Sequence, residues 1–134
     1  RLNILGEGEL LDSLNKQIKD LGLSEKVSIL GFKDNPYPYY KNADLFVLSS
    51  RWEGFPNALL EALACGTKAV ATNCKSGPRE ILGDNEYGTL VEVENIKDLA
   101  SGIINALQSP NKGNDRAKHF DISNIMEYYT EILK

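Results

Sequence analysis

The sequence has few of the residues that mark metal sites, disulfide frameworks or membrane spans. It contains two cysteines and one histidine, and none of its apolar runs approaches the ~18 residues that a membrane-spanning helix needs. His119 stands alone, without a His/Cys cluster or an Asp-x-Asp pair at ligand spacing, so no metal is predicted. Cys65 and Cys74 form no C-x-x-C motif. Free thiols in a reducing compartment are therefore favoured over a disulfide, and a cytoplasmic location is expected.

Positive charge is also scarce. The formal net charge is −4 and no basic stripe with interleaved aromatic residues is present, so nucleic acid is not an expected partner. Hydrophobic residues make up 42% and charged residues 25% of the 134 positions, a balance typical of one soluble globular domain. The chain opens on Arg1 within a strand-like run instead of on Met. We therefore expect it to be a piece of a longer protein.

What the chain does contain is an alternation of short strand-like runs and helical stripes. The pattern predicts strands at 1–5, 27–30, 44–48, 69–72 and 89–91, helices at 9–21, 56–65, 77–82, 96–107 and 123–133, at most a short irregular helix in 35–42, and a polar linker at 109–115. Strands that are apolar on both faces indicate a parallel sheet covered on both sides. The prediction is an α/β domain of three αβα layers, Rossmann-like, over 1–108, with 109–134 as linker and a C-terminal helix packed on it.

Ligands of such sheets bind at the carboxyl ends of the strands, and the loop after the third strand has the richest chemistry there. Glu53 and Glu61 lie eight residues apart and flank the start of a helix that Pro56 is predicted to open. The free N–H groups of Asn57 and Ala58 would make that start an anion site.

Carboxylates accept hydrogen bonds from hydroxyl groups, so two of them around an anion site suit a diphosphate placed between two sugars. A nucleotide sugar is such a ligand. On composition alone another interpretation stays open, in which Glu53 complements the helix N-terminus and Glu61 is a solvated helix position.

The segment "EGFPNALLEALACGT" at 53–67 resembles the E-x7-E signature of the group 1, or family 4, retaining glycosyltransferases with the GT-B fold. Its surroundings agree. The strand before it ("ADLFVLSSRW"), the strand and Gly-Pro-x-Glu turn after it ("AVATNCKSGPREIL"), and "LNILGEGE", "VSILGF" and "YGTLVE" are all similar to that family. The similarity covers roughly residues 2–108. It implies the C-terminal, donor-binding half of a GT-B fold, lacking its first strand-helix unit.

The resemblance assigns roles to particular residues. Glu61 is expected to bind the ribose hydroxyls, and Glu53 is expected to act in catalysis by contacting the donor sugar near the reacting carbon. The diphosphate is expected on the backbone of Gly54, Phe55, Pro56, Asn57 and Ala58, and the ribose and base near Gly6, Gly8, Gly31, Phe32 and Lys33. The donor would be a UDP- or GDP-sugar and no metal or other cofactor would be needed.

The resemblance also implies partners. The missing N-terminal domain would bind the acceptor and could contact a membrane peripherally, so the isolated chain is not expected to catalyse transfer. A sugar-nucleotide epimerase or hydrolase on the same scaffold and a non-catalytic nucleotide-binding module remain as alternatives.

Two features have more than one interpretation. Tyr37, Tyr39 and Tyr40 form either a stacking platform or a packed segment over the sheet, with packing favoured. Arg79, after the Gly-Pro turn, either approaches the donor sugar or caps a helix.

Overall fold

The structure is a computed structural model that describes residues 1–109 and 114–121. The chain divides into two compact units, residues 1–36 and the part that begins at Tyr37. The first unit contains β1 (Leu2–Leu5), α1 (Leu11–Asp20) and β2 (Val27–Gly31). The second contains α2 (Tyr37–Asn42), β3 (Phe46–Leu48), α3 (Asn57–Ala64), β4 (Ala69–Thr72), α4 (Pro78–Leu82), β5 (Thr89–Val91), α5 (Ile96–Gln108) and α6 (Asn114–Lys118).

In the first unit, the two predicted strands pair in parallel, and the predicted helix connects them. Leu2 is aligned with Val27 and Ile4 with Ile29. Helix α1 begins two residues later than predicted, and it ends where the Gly22 N–H donates to the Lys19 carbonyl at 3.0 Å. Gly22 has a φ of +67°, the left-handed conformation that glycine adopts without steric cost at the end of a helix.

In the second unit, β4 is the central strand of the parallel sheet β3-β4-β5. All four β4 residues are buried, as expected for a strand that is covered on both faces. Successive side chains of a strand point to opposite faces, so alternate residues of β4 pack on different faces of the sheet.

Helices cover both faces of this sheet. On one face, Ala69 and Ala71 pack with residues of α3 and α4, and the cluster consists of Leu59, Leu63, Ala69, Ala71, Ile81 and Leu82. On the other face, Val70 and Val91 pack with Ala106 of α5. The predicted three-layer αβα arrangement of parallel strands is therefore confirmed.

The C-terminal part differs from the prediction. Residues 114–118, assigned partly to a polar linker, form α6, which lies against α3 and α4. The Arg116 side chain donates from Nε to the Ile81 carbonyl at 3.0 Å and from Nη2 to the Glu80 carbonyl at 2.6 Å. These contacts with the end of α4 explain why a helix forms in so polar a segment.

The rest of the predicted linker, 110–113, and the predicted helix at 123–133 lie outside the described residues. None of the helices described here is both long and apolar enough to cross a membrane.

Candidate functional site

Three loops of the second unit meet at the carboxyl edge of its sheet. Because β3, β4 and β5 are parallel, the loops that follow them emerge on the same side. The Ser76 hydroxyl, after β4, donates to the Glu53 carbonyl, after β3, at 2.8 Å. Arg51 Nε, after β3, lies 2.8 Å from Glu94 Oε1, after β5. Contacts from the other two loops thus hold the Glu53 loop, residues 49–56 between β3 and α3, in place.

The base of this loop is anchored to buried polar groups of β4 and the residues after it. The Ser50 carbonyl accepts a hydrogen bond from Thr72 Oγ1 at 2.5 Å and another from Cys74 Sγ at 3.2 Å. Both donors are only 3% exposed. Cys74 is a free buried thiol, and Cys65 is also free but half-buried. Sequence reasoning assigned no role to Thr72 or Cys74, because the contacts join residues 22 and 24 positions apart.

The Glu53 carboxylate is half-buried and partly satisfied within its own loop. Ser50 Oγ donates to Glu53 Oε1 at 2.6 Å. A carboxylate offers about four acceptor positions, so this bond leaves capacity for further donors. The arrangement fixes one oxygen while the other oxygen can accept hydroxyl groups from a ligand.

Helix α3 begins one residue later than predicted. Pro56 is its N-cap, with extended backbone angles (φ −76°, ψ 92°), and the Leu59 and Leu60 N–H groups donate to its carbonyl. Pro56 is buried and has no N–H. The N–H groups of Asn57 and Ala58 come before the first intrahelical donors, so this first turn retains the features of the predicted anion site. Gly54 and Phe55 are exposed beside it.

Gly77 permits the turn before α4 to lie directly against this loop. A Cβ atom at Gly77 would come within 2.5 Å of the Gly54 carbonyl oxygen and 2.6 Å of Pro56 Cδ. Its φ of +87° is also a conformation that other residues rarely adopt. No side chain fits there, so glycine is required for this close approach.

The ring of Phe55 is linked to the C-terminal helical segment. Its centroid lies 5.5 Å from that of Phe120, which follows α6 and packs against the core. The Arg116 guanidinium lies 5.0 Å from the centroid of the same Phe120 ring. The segment at 116–120 therefore supports the loop from one side.

Glu61 occupies the less buried side of α3. Its neighbours Leu59, Ala62 and Leu63 are fully buried, whereas Glu61 is half-buried. Burial raises the pKa of the Tyr40 hydroxyl, and the negative charge of Glu61 raises it further. The Glu61 charge thus disfavours loss of the proton from the Tyr40 hydroxyl.

Tyr40 packs against β3, and its carbonyl is bound by a residue that follows α3. The Tyr40 ring packs edge-on against Phe46 at 5.4 Å between centroids, and Thr67 Oγ1 donates to its carbonyl. Tyr37 lies edge-on to Tyr40 at 6.3 Å. For Tyr40, the packing interpretation is confirmed.

Arg79 contacts one side chain that follows β4 and one that follows α4. Its Nε donates to Asn73 Oδ1 at 3.2 Å, and its Nη1 lies 2.9 Å from Asp84 Oδ1. These contacts connect residues before and after α4, and the capping and donor-sugar interpretations of Arg79 both stay predictions.

In the first unit, the two predicted turns meet at the ends of β1 and β2. The Gly6 N–H donates to the Gly31 carbonyl at 3.0 Å, and the Phe32 N–H points to Glu7 Oε1 at 3.4 Å. Phe32 is 64% exposed. A groove of about 330 Å³ lies beside the turn at residues 6–8, with Ile4, Leu5, Leu11 and Leu14 among its lining residues.

The structure therefore brings the predicted site residues together as two groups, one within each unit. The first consists of Gly6, Gly8, Gly31, Phe32 and Lys33, and the second of Glu53, Gly54, Phe55, Pro56, Asn57, Ala58 and Glu61. Within the described ranges 1–109 and 114–121, no group of three or more His, Cys, Asp or Glu side chains is arranged to hold a metal ion.

Known proteins are similar to this chain in sequence and in fold. A transferase of Campylobacter jejuni, N-acetylgalactosamine-N,N'-diacetylbacillosaminyl-diphospho-undecaprenol 4-alpha-N-acetylgalactosaminyltransferase, is 46% identical over 128 residues, which cover 90% of this chain and 35% of the relative. A lipopolysaccharide core biosynthesis glycosyltransferase of Rhizobium meliloti, LpsE, is 37% identical over 100 residues, covering 75% of this chain and 29% of the relative. The chain thus spans only about a third of the length of these relatives.

Solved structures superpose on nearly the whole chain. A mutant of S. aureus TarM, in complex with fondaparinux, alpha-GlcNAc-glycerol and UDP, matches with a TM-score of 0.84 and 27% identity, over 96% of this chain and 28% of that one. Anabaena HepE in complex with UDP-glucose matches with a TM-score of 0.78 and 28% identity, over 98% of this chain and 40% of that one. The family model described as glycosyl transferases group 1 matches residues 1–120 of the 134. The chain therefore belongs to the group 1 glycosyl transferases.

Proposed function

We propose that this chain is the donor-binding part of a retaining glycosyltransferase, which transfers a sugar from a nucleoside diphosphate sugar to an acceptor hydroxyl. The observation that carries the proposal is the pair of half-buried carboxylates, Glu53 and Glu61, at the loop before α3 and within that helix. Between them lies a helix start whose first N–H groups have no intrahelical partner. Hydroxyl-binding acids around an anion site match the chemistry of such a donor.

In this proposal each part of the site binds one part of the donor. Glu61 binds the ribose hydroxyls, and Glu53, held through Oε1 by Ser50, contacts hydroxyls of the transferred sugar. The diphosphate lies against the backbone of residues 54–58. For the turns at 6–8 and 31–33 of the first unit, the family resemblance implies contacts with the ribose and the base.

The chemical work of this part is to stabilise the leaving diphosphate. Negative charge grows on the diphosphate as the glycosidic bond breaks, and donors fixed in advance stabilise it without reorganising. The start of α3 supplies N–H groups and the positive end of a helix dipole. The remaining positive charge would come from an Arg and a Lys on a preceding strand-helix unit, as the family resemblance implies, and not from a metal.

We propose a UDP-sugar as the donor class. HepE has been solved with UDP-glucose and TarM with UDP, and both superpose on this chain over at least 96% of its residues. The Campylobacter relative is named for a lipid-linked acceptor, a diphospho-undecaprenol carrying sugars. A comparable acceptor would place the reaction at a membrane surface, with the membrane contact made by the other domain.

Product analysis of the full-length protein tests this function. The full-length protein is incubated with UDP-glucose or UDP-N-acetylgalactosamine, each with and without an undecaprenyl-diphosphate-linked oligosaccharide as acceptor. A glycosylated lipid with the donor's anomeric configuration is expected. Free sugar formed without acceptor would indicate a hydrolase, and an isomerised nucleotide sugar would indicate an epimerase.

A substitution at Glu53 ties this activity to the site. Glu53→Gln removes the charge but keeps the shape, and we expect turnover to fall by ~100-fold or more, the range seen when one group that stabilises a transition state is lost. Glu86→Gln is the matched control, because Glu86 is exposed and lies before β5, at the opposite edge of the sheet. Equal turnover for both variants would contradict the proposed role.

A further inference from the structure

Trp52 is an exposed aromatic residue at the edge of the Glu53 loop. It is the single tryptophan of the sequence, and 79% of its surface is exposed. Tryptophan is highly buried on average in folded proteins, although isolated exposed apolar residues are common. Exposure alone therefore assigns no role to Trp52, and its surroundings decide the question.

The residues on both sides of Trp52 are held by contacts from other loops. Ser50 is anchored through its carbonyl by Thr72 and Cys74. Arg51 is paired with Glu94 at 2.8 Å, and the Glu53 carbonyl accepts the Ser76 hydroxyl at 2.8 Å. The Trp52 backbone is therefore fixed at both ends while its ring remains in solvent. Because the loop is already held by these contacts, it loses little conformational entropy when a ligand covers the indole ring.

The position next to Glu53 indicates what would cover the ring. The Cα atoms of Trp52 and Glu53 are about 3.8 Å apart, so the indole and the carboxylate start from one stretch of the loop that is no longer than a sugar ring. A hexopyranose has faces of C–H groups and an edge of hydroxyl groups. The indole offers a large flat apolar surface, and the carboxylate accepts hydrogen bonds from hydroxyl groups.

We propose that Trp52 is a sugar-binding residue, on whose indole face a hexopyranose ring stacks while Glu53 binds hydroxyl groups nearby. The inference rests on the proposed function, because that function places a sugar at Glu53. The stacked hexopyranose belongs either to the donor or to the acceptor, and steady-state kinetics separate these two sources.

Steady-state kinetics of the full-length protein test the proposal. For Trp52→Ala, the KM of one substrate, donor or acceptor, is expected to rise about tenfold while kcat falls by less than threefold. Trp52→Tyr keeps an aromatic face and is expected to retain most of the affinity. Ile104→Ala is the matched control, because Ile104 is also an exposed apolar residue, 57% exposed, on α5.

The substrate whose KM rises identifies the stacked ring. UDP affinity, measured by calorimetry, is expected to change by less than twofold in Trp52→Ala, since a stacked hexopyranose is absent from UDP. Unchanged KM values for both substrates would overturn the proposal. So would a loss of UDP affinity as large as the KM effect, because Trp52 would then support the loop itself.

Two further outcomes are distinguishable. If the KM rises for a membrane-embedded acceptor but not for its water-soluble oligosaccharide, Trp52 contacts lipid and the sugar-stacking proposal is wrong. If the wild-type protein neither binds a nucleotide nor transfers sugar, the proposed function fails and this inference fails with it. If sugar is transferred and neither KM value changes when Trp52 is substituted, this inference is overturned while the proposed function stands.

Discussion

Glu61 shows how an acidic residue is accommodated in an apolar helix. Its neighbours Leu59, Ala62 and Leu63 are buried, but Glu61 itself is only half-buried, on the side of α3 that faces away from the core cluster. A half-buried carboxylate keeps part of its hydration, so its cost falls well below that of a fully buried charge. Glu53 is accommodated differently, through the hydrogen bond from Ser50.

Gly77 provides a stability test at the scale of one residue. In Gly77→Ala, the new Cβ would meet the Gly54 carbonyl oxygen at 2.5 Å, and the backbone would have to keep a φ of +87°. Since neither the carbonyl nor the proline ring is a flexible chain end, we expect the free energy of unfolding to fall by about 1–3 kcal/mol. Denaturant-induced unfolding measures the change.

The control for this prediction is Gly8→Ala. An added Cβ at Gly8 meets no atom within 4 Å, so its effect is expected to stay within about 0.5 kcal/mol. Equal stability of the two variants would contradict the assigned role of Gly77.

The sequence singled out the candidate site residues of the second unit, but not most of the residues that hold them in place. Glu53 and Glu61 stand out because acids are unexpected in an apolar helical run. Ser76 does not stand out, and the Gly-Pro turn at Gly77 is visible without its structural role, because the partners of both residues in the Glu53 loop lie more than 20 positions earlier in the chain. Such contacts arise only when parallel strands bring separate loops to one edge, which no local pattern reveals.

At the scale of whole elements, strongly patterned segments were predicted well and weakly patterned ones were not. β4 and α5 were placed within a residue or two, because a fully apolar strand and a long amphipathic stripe have few alternatives. α6 was not predicted. A helix of five residues, four of them polar, is unstable by itself and forms only through tertiary contacts.

Arg116 is the principal tertiary anchor of α6. Its guanidinium donates to the carbonyls of Glu80 and Ile81 and lies over the rings of Tyr87 and Phe120. Because Arg116→Ala removes these contacts and leaves two carbonyls at the end of α4 without this donor, we expect unfolding free energy to fall by about 1–2 kcal/mol. Urea denaturation followed by circular dichroism measures it.

Two comparisons make this test specific. Arg116→Lys keeps the charge but loses the forked donor geometry, so an intermediate stability is expected. Lys97→Ala, at an exposed cation of α5, is expected to leave stability nearly unchanged. If Arg116→Ala were as stable as the wild type, α6 would be held by other contacts.

At the scale of the whole molecule, net charge opposes the proposed ligand. The chain carries a formal charge of −4, and a nucleoside diphosphate is also negative, so long-range electrostatics disfavour binding. The local field at the start of α3 acts in the opposite direction. We expect the rest of the protein to supply cations, so the 134-residue chain by itself is expected to bind donors weakly and to show no transfer.

Calorimetric titration of the full-length protein with UDP, GDP and ADP, repeated on Glu61→Ala, tests the central claim most directly. We predict saturable binding of UDP in preference to GDP and ADP. In Glu61→Ala, the loss of charged hydrogen bonds to the ribose, worth about 1.5–3 kcal/mol, should raise the Kd by roughly ten- to a hundredfold. Glu86→Ala should bind like the wild type. Equal UDP affinity in the wild type and Glu61→Ala would contradict the account, because the nucleotide would then bind elsewhere.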